Sequence, residues 1–358
     1  MKHPYSKNQP YQMWRQAVTQ VEPHLIDPVH NPKFQITRNL RVGTAGSCFA
    51  QHIARKISEI GFNYFVPESD DTLSEQEKIE RNFGIFSARY GNLYTVEQLY
   101  QLFQEVFDGR KSAEKPWKRP DGQFVDPCRP QVEPAGYKTA KDVVVARAEH
   151  LKHVERVFRE SELFVFTLGL TEAWRSKADA TVFPLAPGVV AGSYDEKKYE
   201  FHNFSVTEVI DTLNEFLERL REVNPSVKVL LTVSPVPLIA TYEKRNVLVS
   251  TVYSKSVLRV AAQATSDVRD WVDYFPSYEI ITGSATGGMY YETDQREVAP
   301  IGVVHAMRCF VQNYVESNTQ NATPVRTRAE RISELQKASD VVCDEEVLGS
   351  LTFSSKDD

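Results

Sequence analysis

"GTAGSCFAQHIARKI", residues 43–57, decides the fold. A short apolar lead-in, Leu40 and Val42, runs into Gly43-Thr44-Ala45-Gly46, and Ser47 and Cys48 follow. Apolar residues then recur at Phe49, Ile53 and Ile57, with Ala50, Ala54 and Ile60 beside them. That spacing is one face of a helix, and Gly61 is a natural stop. The stretch reads as strand, tight turn and helix, with small residues at the turn and two nucleophile-capable side chains just after it.

The same grammar recurs downstream. Apolar spacing predicts helices over about 96–107 and 143–160, and Leu163 to Phe166 is a continuous apolar run suited to a buried parallel strand. Ser205 and Glu208 form a capping box ahead of the stripe Ile210, Leu213, Phe216, Leu217 and Leu220. Val227 to Val233 is a second buried strand, "TVYSKSVLRVAAQA" a helix, "WVDYFPSYEIIT" a strand with its exit loop, and 298–314 a last helix. Alternation of this kind predicts a three-layer α/β/α sandwich with a mostly parallel sheet and helical and loop insertions. The expected layout is an N-terminal arm over 1–38 and one α/β domain over 39–316. Insertions are expected at about 67–141 and 175–204, and a tail or peripheral helix over 317–358. The charged stretch opening the first insertion, 67–95, reads as a surface excursion.

The chain has 358 residues, 41% hydrophobic and 25% charged, enough for a sizeable core. A net charge of −6 and the lack of a basic patch argue against a nucleic-acid partner. Cys48, Cys128, Cys309 and Cys343 stand far apart with no CxxC pair, which suggests neither a metal site nor a disulfide framework. A reducing compartment fits such cysteines. The opening "MKHPYSKNQPYQMWRQ" has no apolar core of a signal peptide, and no apolar run reaches membrane-spanning length. The expectation is a cytoplasmic protein without a membrane span, its oligomeric state left open.

In a doubly wound sheet, sites form at the carboxyl ends of the strands. Gly46-Ser47-Cys48, Leu168-Gly169-Leu170-Thr171, Ser234-Pro235 and the loop 277–300 fall there. Ser47 reads either as a helix N-cap or as a nucleophile served by backbone N–H groups at the helix start. Cys48 reads either as a small buried residue or as a thiol activated by the helix terminus. Trp174 and Arg175 are candidates to line a substrate cleft, and Trp117, Tyr90 and Tyr94 to stack on sugar rings, with ordinary packing as the alternative for each.

The string "GSCFA" (46–50) resembles the name-giving motif of the GSCFA family, which is grouped with the SGNH/GDSL-like hydrolases. "FTLGLTEAW" (166–174), "LTVSPVPL" (231–238), "SKSVLRVAA" (254–262) and "YFPSYEI" (274–280) extend the likeness from about Arg38 to Tyr314. The resemblance implies an SGNH/flavodoxin-like fold and chemistry on ester bonds. It lays Ser47 on the serine of a GDS-like first block, with Gly46 where Asp is usual. Gly169 and Thr171 fall near a Gly-x-Asn-like oxyanion block, with Thr in place of Asn. The final Asp-x-x-His block corresponds to Asp294-Gln295-Arg296-Glu297, so Glu297 stands where the histidine is expected.

The resulting expectation is a hydrolase or acyl-transfer enzyme acting on O-acyl esters, O-acetyl foremost, of a carbohydrate or small metabolite. Ser47 would attack, and the Ser47 and Gly169 N–H groups with Thr171 would hold the oxyanion. Asp294 with Glu297 or His305 would handle the proton. Hydrolysis needs no cofactor or metal, and acyl-CoA enters only for a transferase. Cys48 is the alternative nucleophile, and a degenerate site kept for binding or scaffolding is the alternative class. Helical spacing puts His305 opposite the stripe Val303, Met307, Phe310, Val311 and Tyr314, on the outer face. Glu297 would serve as base if burial raised its pKa. His202 would reach the site only if its insertion folds over it, and His52, five residues after Ser47, points away from the turn.

Overall fold

The structure is a computed structural model that describes residues 3–316 and 343–349. Val42–Gly46 forms β1, buried throughout, and Ala50–Glu59 forms α1. Asn63 to Phe65 then returns alongside β1, exchanging backbone hydrogen bonds with Val42. Next come α2 (Glu75–Glu80), α3 (Val96–Phe107), the hairpin β2 (Trp117–Lys118) and β3 (Phe124–Val125), and α4 (Ala140–Glu160). β4 (Leu163–Leu168) leads into a small antiparallel sheet of β5 (Glu172–Ser176), β6 (Val182–Phe183) and β7 (Tyr199–Asn203). The chain continues through α5 (Val206–Val223), β8 (Lys228–Val233), α6 (Val247–Asp267), β9 (Val272–Tyr274), α7 (Ser277–Thr282) and α8 (Pro300–Tyr314). A helical turn, Glu346–Gly349, closes the described residues.

β1, β4, β8 and β9 lie side by side in that order, all parallel. With the Tyr64 bridge on the far side of β1, the chain steps outward from β1, then turns back past it to β4. That reversal opens a crevice at the carboxyl ends of β1 and β4. Strand alternation divides the core between the two faces. Leu163 and Val165 of β4 pack with α1 and α8, whereas Phe164, Phe166 and Leu168 pack with α3 to α6. A strand buried on both faces reads as a near-continuous apolar run, and β4 is buried throughout and apolar at every position but Thr167. The result is the three-layer α/β/α sandwich that the alternation predicts. Among the described residues no helix is long and apolar enough to cross a membrane.

Three details depart from the sequence reading. Ser87 to Asn92, expected on the surface, is mostly buried, because its polar groups find internal partners. The Arg89 guanidinium donates to the carbonyls of Arg81 and Val132 and pairs with Glu133, and the Tyr90 hydroxyl donates to the Thr44 carbonyl. "SYEIIT", expected as an exit loop, is helix α7. The N-terminal arm covers one side of α8 at His305, Cys309 and Asn313 through Ile26 and Asp27, and the Ile36 N–H donates to the Tyr314 carbonyl at 2.7 Å. Of the expected 317–358 tail, all but residues 343–349 lies outside the described residues.

Gly46 has φ +129°, and a Cβ there would stand 2.4 Å from the Thr167 carbonyl oxygen. Both the dihedral and the clash demand glycine. Gly46→Ala is expected to lower folding stability by at least about 2 kcal/mol; an unchanged urea midpoint would contradict this account of the turn.

Candidate functional site

The crevice is built by backbone hydrogen bonds between segments remote in sequence. The Ser47 N–H donates to the Thr167 carbonyl at 3.0 Å and the Leu93 N–H to the Gly46 carbonyl at 3.0 Å. The Gly169 and Leu170 N–H groups both donate to the Tyr94 carbonyl, at 2.9 and 3.2 Å, and the Ser234 N–H to the Leu168 carbonyl at 2.8 Å. A Cβ on Gly169 would meet the Tyr94 carbonyl at 3.0 Å and Ser47 Cβ at 3.1 Å, so the close packing of the two strand ends needs this glycine.

Above this floor opens a cleft of about 570 Å³ including its mouth, lined by Cys48, Phe49, His52, Arg296, Glu297 and Cys343 among others. Cys48 is the nucleophile-capable residue of the motif that faces it. Ser47 Oγ is buried and has no hydrogen-bond partner among the described residues. Nor does Ser47 cap α1, which starts at Ala50 without a side-chain cap. The N–H groups of Cys48 and Phe49, just before the helix, donate to no acceptor among the described residues. They are the free donors that a helix start leaves over.

The other expected residues are dispersed. The Gly169 N–H is taken by Tyr94, and Thr171 Oγ1 donates to Asn203 at 2.7 Å. Asp294 is exposed, and its carboxylate accepts the N–H groups of Arg296 and Glu297, which shapes the loop. Glu297 lines the cleft but is exposed. His305 is buried rather than surface-exposed. One ring nitrogen faces the Tyr290 hydroxyl at 2.7 Å and the other the Ile26 carbonyl at 2.6 Å, so it binds the arm to α8. Trp174 packs edge-on against Tyr194 and Tyr242, Arg175 pairs with Glu200, and His202 contacts Glu208. None of these three lines the cleft.

The cleft instead gathers residues the sequence did not single out. Cys343 lines the cleft with Cys48, the two side chains interacting, and its sulfur lies 3.7 Å from the Tyr94 hydroxyl and 3.7 Å from the Arg296 guanidinium. Arg296 pairs with Glu345 at 3.3 Å, and its Nε has no acceptor among the described residues. Lys255, on α6, donates to the Gly169 carbonyl at 2.5 Å and interacts electrostatically with Cys48 and Glu345. Burial pulls its amine down to about 8 and pushes the Glu345 carboxyl up to about 7. The hydrogen bond to Cys343, burial and the neighbouring negative charge hold the Cys48 thiol above its usual range. Cys343 is lowered by the hydrogen bond from Cys48 and by Arg296, so the shared negative charge rests on Cys343.

His52 lies one helical turn beyond Cys48, and burial followed by the Arg55 charge pulls it down to about 3. Counting from Ser47 concealed it; the i, i+4 spacing from Cys48 predicts a shared face. Lys255 shows a signal too, as a charge among Ser254, Val257, Leu258 and Ala261 on the buried face of α6. Cys343 shows none.

A family model described as the GSCFA family matches residues 41–310, from the lip of β1 to within the last long helix. No curated protein matches the chain.

His52 and His150, the latter also pulled to about 3 by burial, stay neutral in the native state. The unfolded chain takes up these protons below about 6.5 and the native state does not, so stability is present above that pH and falls on acidification. Between pH 6.5 and 4.5 each histidine is expected to cost about 2 kcal/mol. Urea unfolding at the two pH values checks this, and His52→Gln should remove about one histidine's share of the drop.

Proposed function

The chain belongs to the GSCFA family, and from that premise and the geometry of the cleft we propose an acyl-transfer enzyme whose nucleophile is the Cys48 thiol. Membership suggests a hydrolase-like protein. The substrate class we assign is an O-acyl ester of a carbohydrate or small metabolite. The single observation that carries the reading is that Cys48, not Ser47, faces the cleft, with a buried lysine interacting electrostatically with it.

Lys255 suits proton transfer best. Of the groups around Cys48, the Lys255 amine near 8 is the strongest base; because the thiol is held above its usual range the transfer runs uphill, and Lys255 returns the proton to the leaving oxygen, as lysines tuned by burial do. His52, near 3, is a poorer acceptor than Lys255 by about 7 kcal/mol. In the proposed cycle the Cys48 thiolate attacks the ester carbonyl, and the carbonyl oxygen receives the free N–H groups of Cys48 and Phe49. The C–O bond breaks, and the alcohol leaves with the proton held by Lys255. Water then cleaves the thioester, releasing the carboxylic acid and restoring the thiol. Arg296, with its unpartnered Nε, offers a donor to a substrate carbonyl or anion. No step calls for a cofactor, and acyl-CoA would enter only as a donor in transfer.

A second reading has its own support. The Ser47 N–H, the Gly169 N–H and the Thr171 hydroxyl, the oxyanion donors expected of such a fold, are all engaged within the protein. That arrangement favours a module that binds esters without turning them over.

Assays of short acyl esters separate the two. Under the first reading Cys48→Ala lowers kcat/KM at least about 100-fold, Ser47→Ala retains activity, and a thioester on Cys48 is trapped by mass spectrometry. Lys255→Met is expected to lower kcat and to remove the limb of the pH profile near 8. Activity that survives Cys48→Ala and vanishes in Ser47→Ala would return the role to the serine. Equal, negligible rates in wild type and Cys48→Ala would favour binding.

A further inference from the structure

The C-terminal segment 343–349 lies across the cleft with a cysteine whose side chain interacts with Cys48. Its placement is specified residue by residue. The Asn92 side chain and N–H donate to the Asp344 carboxylate at 3.0 and 3.3 Å, and Arg296 pairs with Glu345. Gly349 packs so closely on Ile239 that a Cβ at this position would stand 2.7 Å from the Ile239 Cδ1. These contacts bring the two cysteines into one cleft from opposite ends of the chain.

We propose that Cys48 and Cys343 form a reversible disulfide that ties the C-terminal segment over the cleft. Both cysteines line the cleft and their side chains interact, and the Tyr94 hydroxyl and the Arg296 guanidinium each lie 3.7 Å from the Cys343 sulfur. Donors to one sulfur of a pair define which thiol is the thiolate, and the thiolate is the reactive form. A hydroperoxide such as hydrogen peroxide is the oxidant. The Cys343 thiolate attacks the O–O bond, giving a sulfenic acid and hydroxide, which takes a proton to become water. The Cys48 sulfur then displaces hydroxide from the sulfenic acid, and the Cys48 proton completes a second water. Two thiols lose two electrons, and one peroxide becomes two waters. A dithiol reductant reverses the bond by exchange.

The other two cysteines serve as internal controls. Cys309 is buried near the Ile26 carbonyl and is pushed up to about 11 by burial, and Cys128 is likewise raised by burial. Both are thiols at neutral pH and make poor nucleophiles toward peroxide. The disulfide rests on the reading of Cys48 as nucleophile only for its effect on turnover; the bond itself needs only the two sulfurs.

The test uses the full chain, stoichiometric hydrogen peroxide and non-reducing digestion. The expected product is one peptide pair linking Cys48 to Cys343, two hydrogens lighter than the thiols, lost on adding dithiothreitol and absent from Cys343→Ser. Labelling of Cys48 by iodoacetamide should fall at least tenfold on oxidation and recover on reduction. Glu345→Gln, which loosens the anchor to Arg296 without touching either sulfur, should slow the linkage several-fold. The proposal is overturned if peroxide links Cys128 or Cys309 as readily, if it leaves Cys48 and Cys343 unlinked, or if the urea-unfolded chain links the same pair equally fast. Because the readout is a covalent bond, absent ester turnover would count against the acyl-transfer reading alone.

Discussion

The ends of β1 and β4 are locked together through the backbone, and the site exists because of that lock. Gly46 turns with φ +129° against the Thr167 peptide, where no Cβ fits, and the Ser47 N–H closes the junction on the Thr167 carbonyl. The segment ending at Tyr94 is stitched to both ends, receiving Gly169 and Leu170 and donating from Leu93. With the turn fixed, the next residue along the chain, Cys48, is delivered to the crevice, and Ser47 is directed into packing beneath it. The geometry of one glycine thus selects which of two adjacent nucleophile-capable residues faces the cleft.

Charge in the cleft follows from burial. Lys255 and Glu345 would each be fully ionised in water, yet both sit near neutrality in their partly dry surroundings. Arg296, which cannot lose its proton, supplies the fixed positive charge. It lies beside Cys343 and Glu345, which makes the C-terminal segment a complement to the cleft in charge as well as shape. Groups poised near neutral pH around a nucleophile are what acyl transfer requires. The same groups stabilise an anion brought by the protein's own tail.

Much of the architecture was legible because it rests on local pattern. The helix stripes, the capping box of α5, and the continuous apolar runs of β4 and β8 each follow from neighbours a few residues apart. The stretch Ser87–Asn92 was not legible. Its polar composition matches a surface loop, and only partners such as Glu133, Val132 and Thr44 make its burial tolerable. His305 failed for a related reason. Its helical phase was read as facing outward, but that side of α8 is covered by an arm that no periodicity could place.

The sequence by itself determined the layered fold, the strand–turn–helix at Gly46, and the family motif over residues 46–50. Those features depend on spacing of two to four residues and on the steric demands of single positions. Tertiary structure decided the rest: that Cys48, Arg296 and Cys343 line one cleft, and that Lys255 is buried on the Gly169 carbonyl. The four cysteines looked unrelated because their separation along the chain carries no information about their separation in space. Contacts between remote segments are fixed only when the sheet, the β1–β4 lock and the packing of the C-terminal segment are all in place.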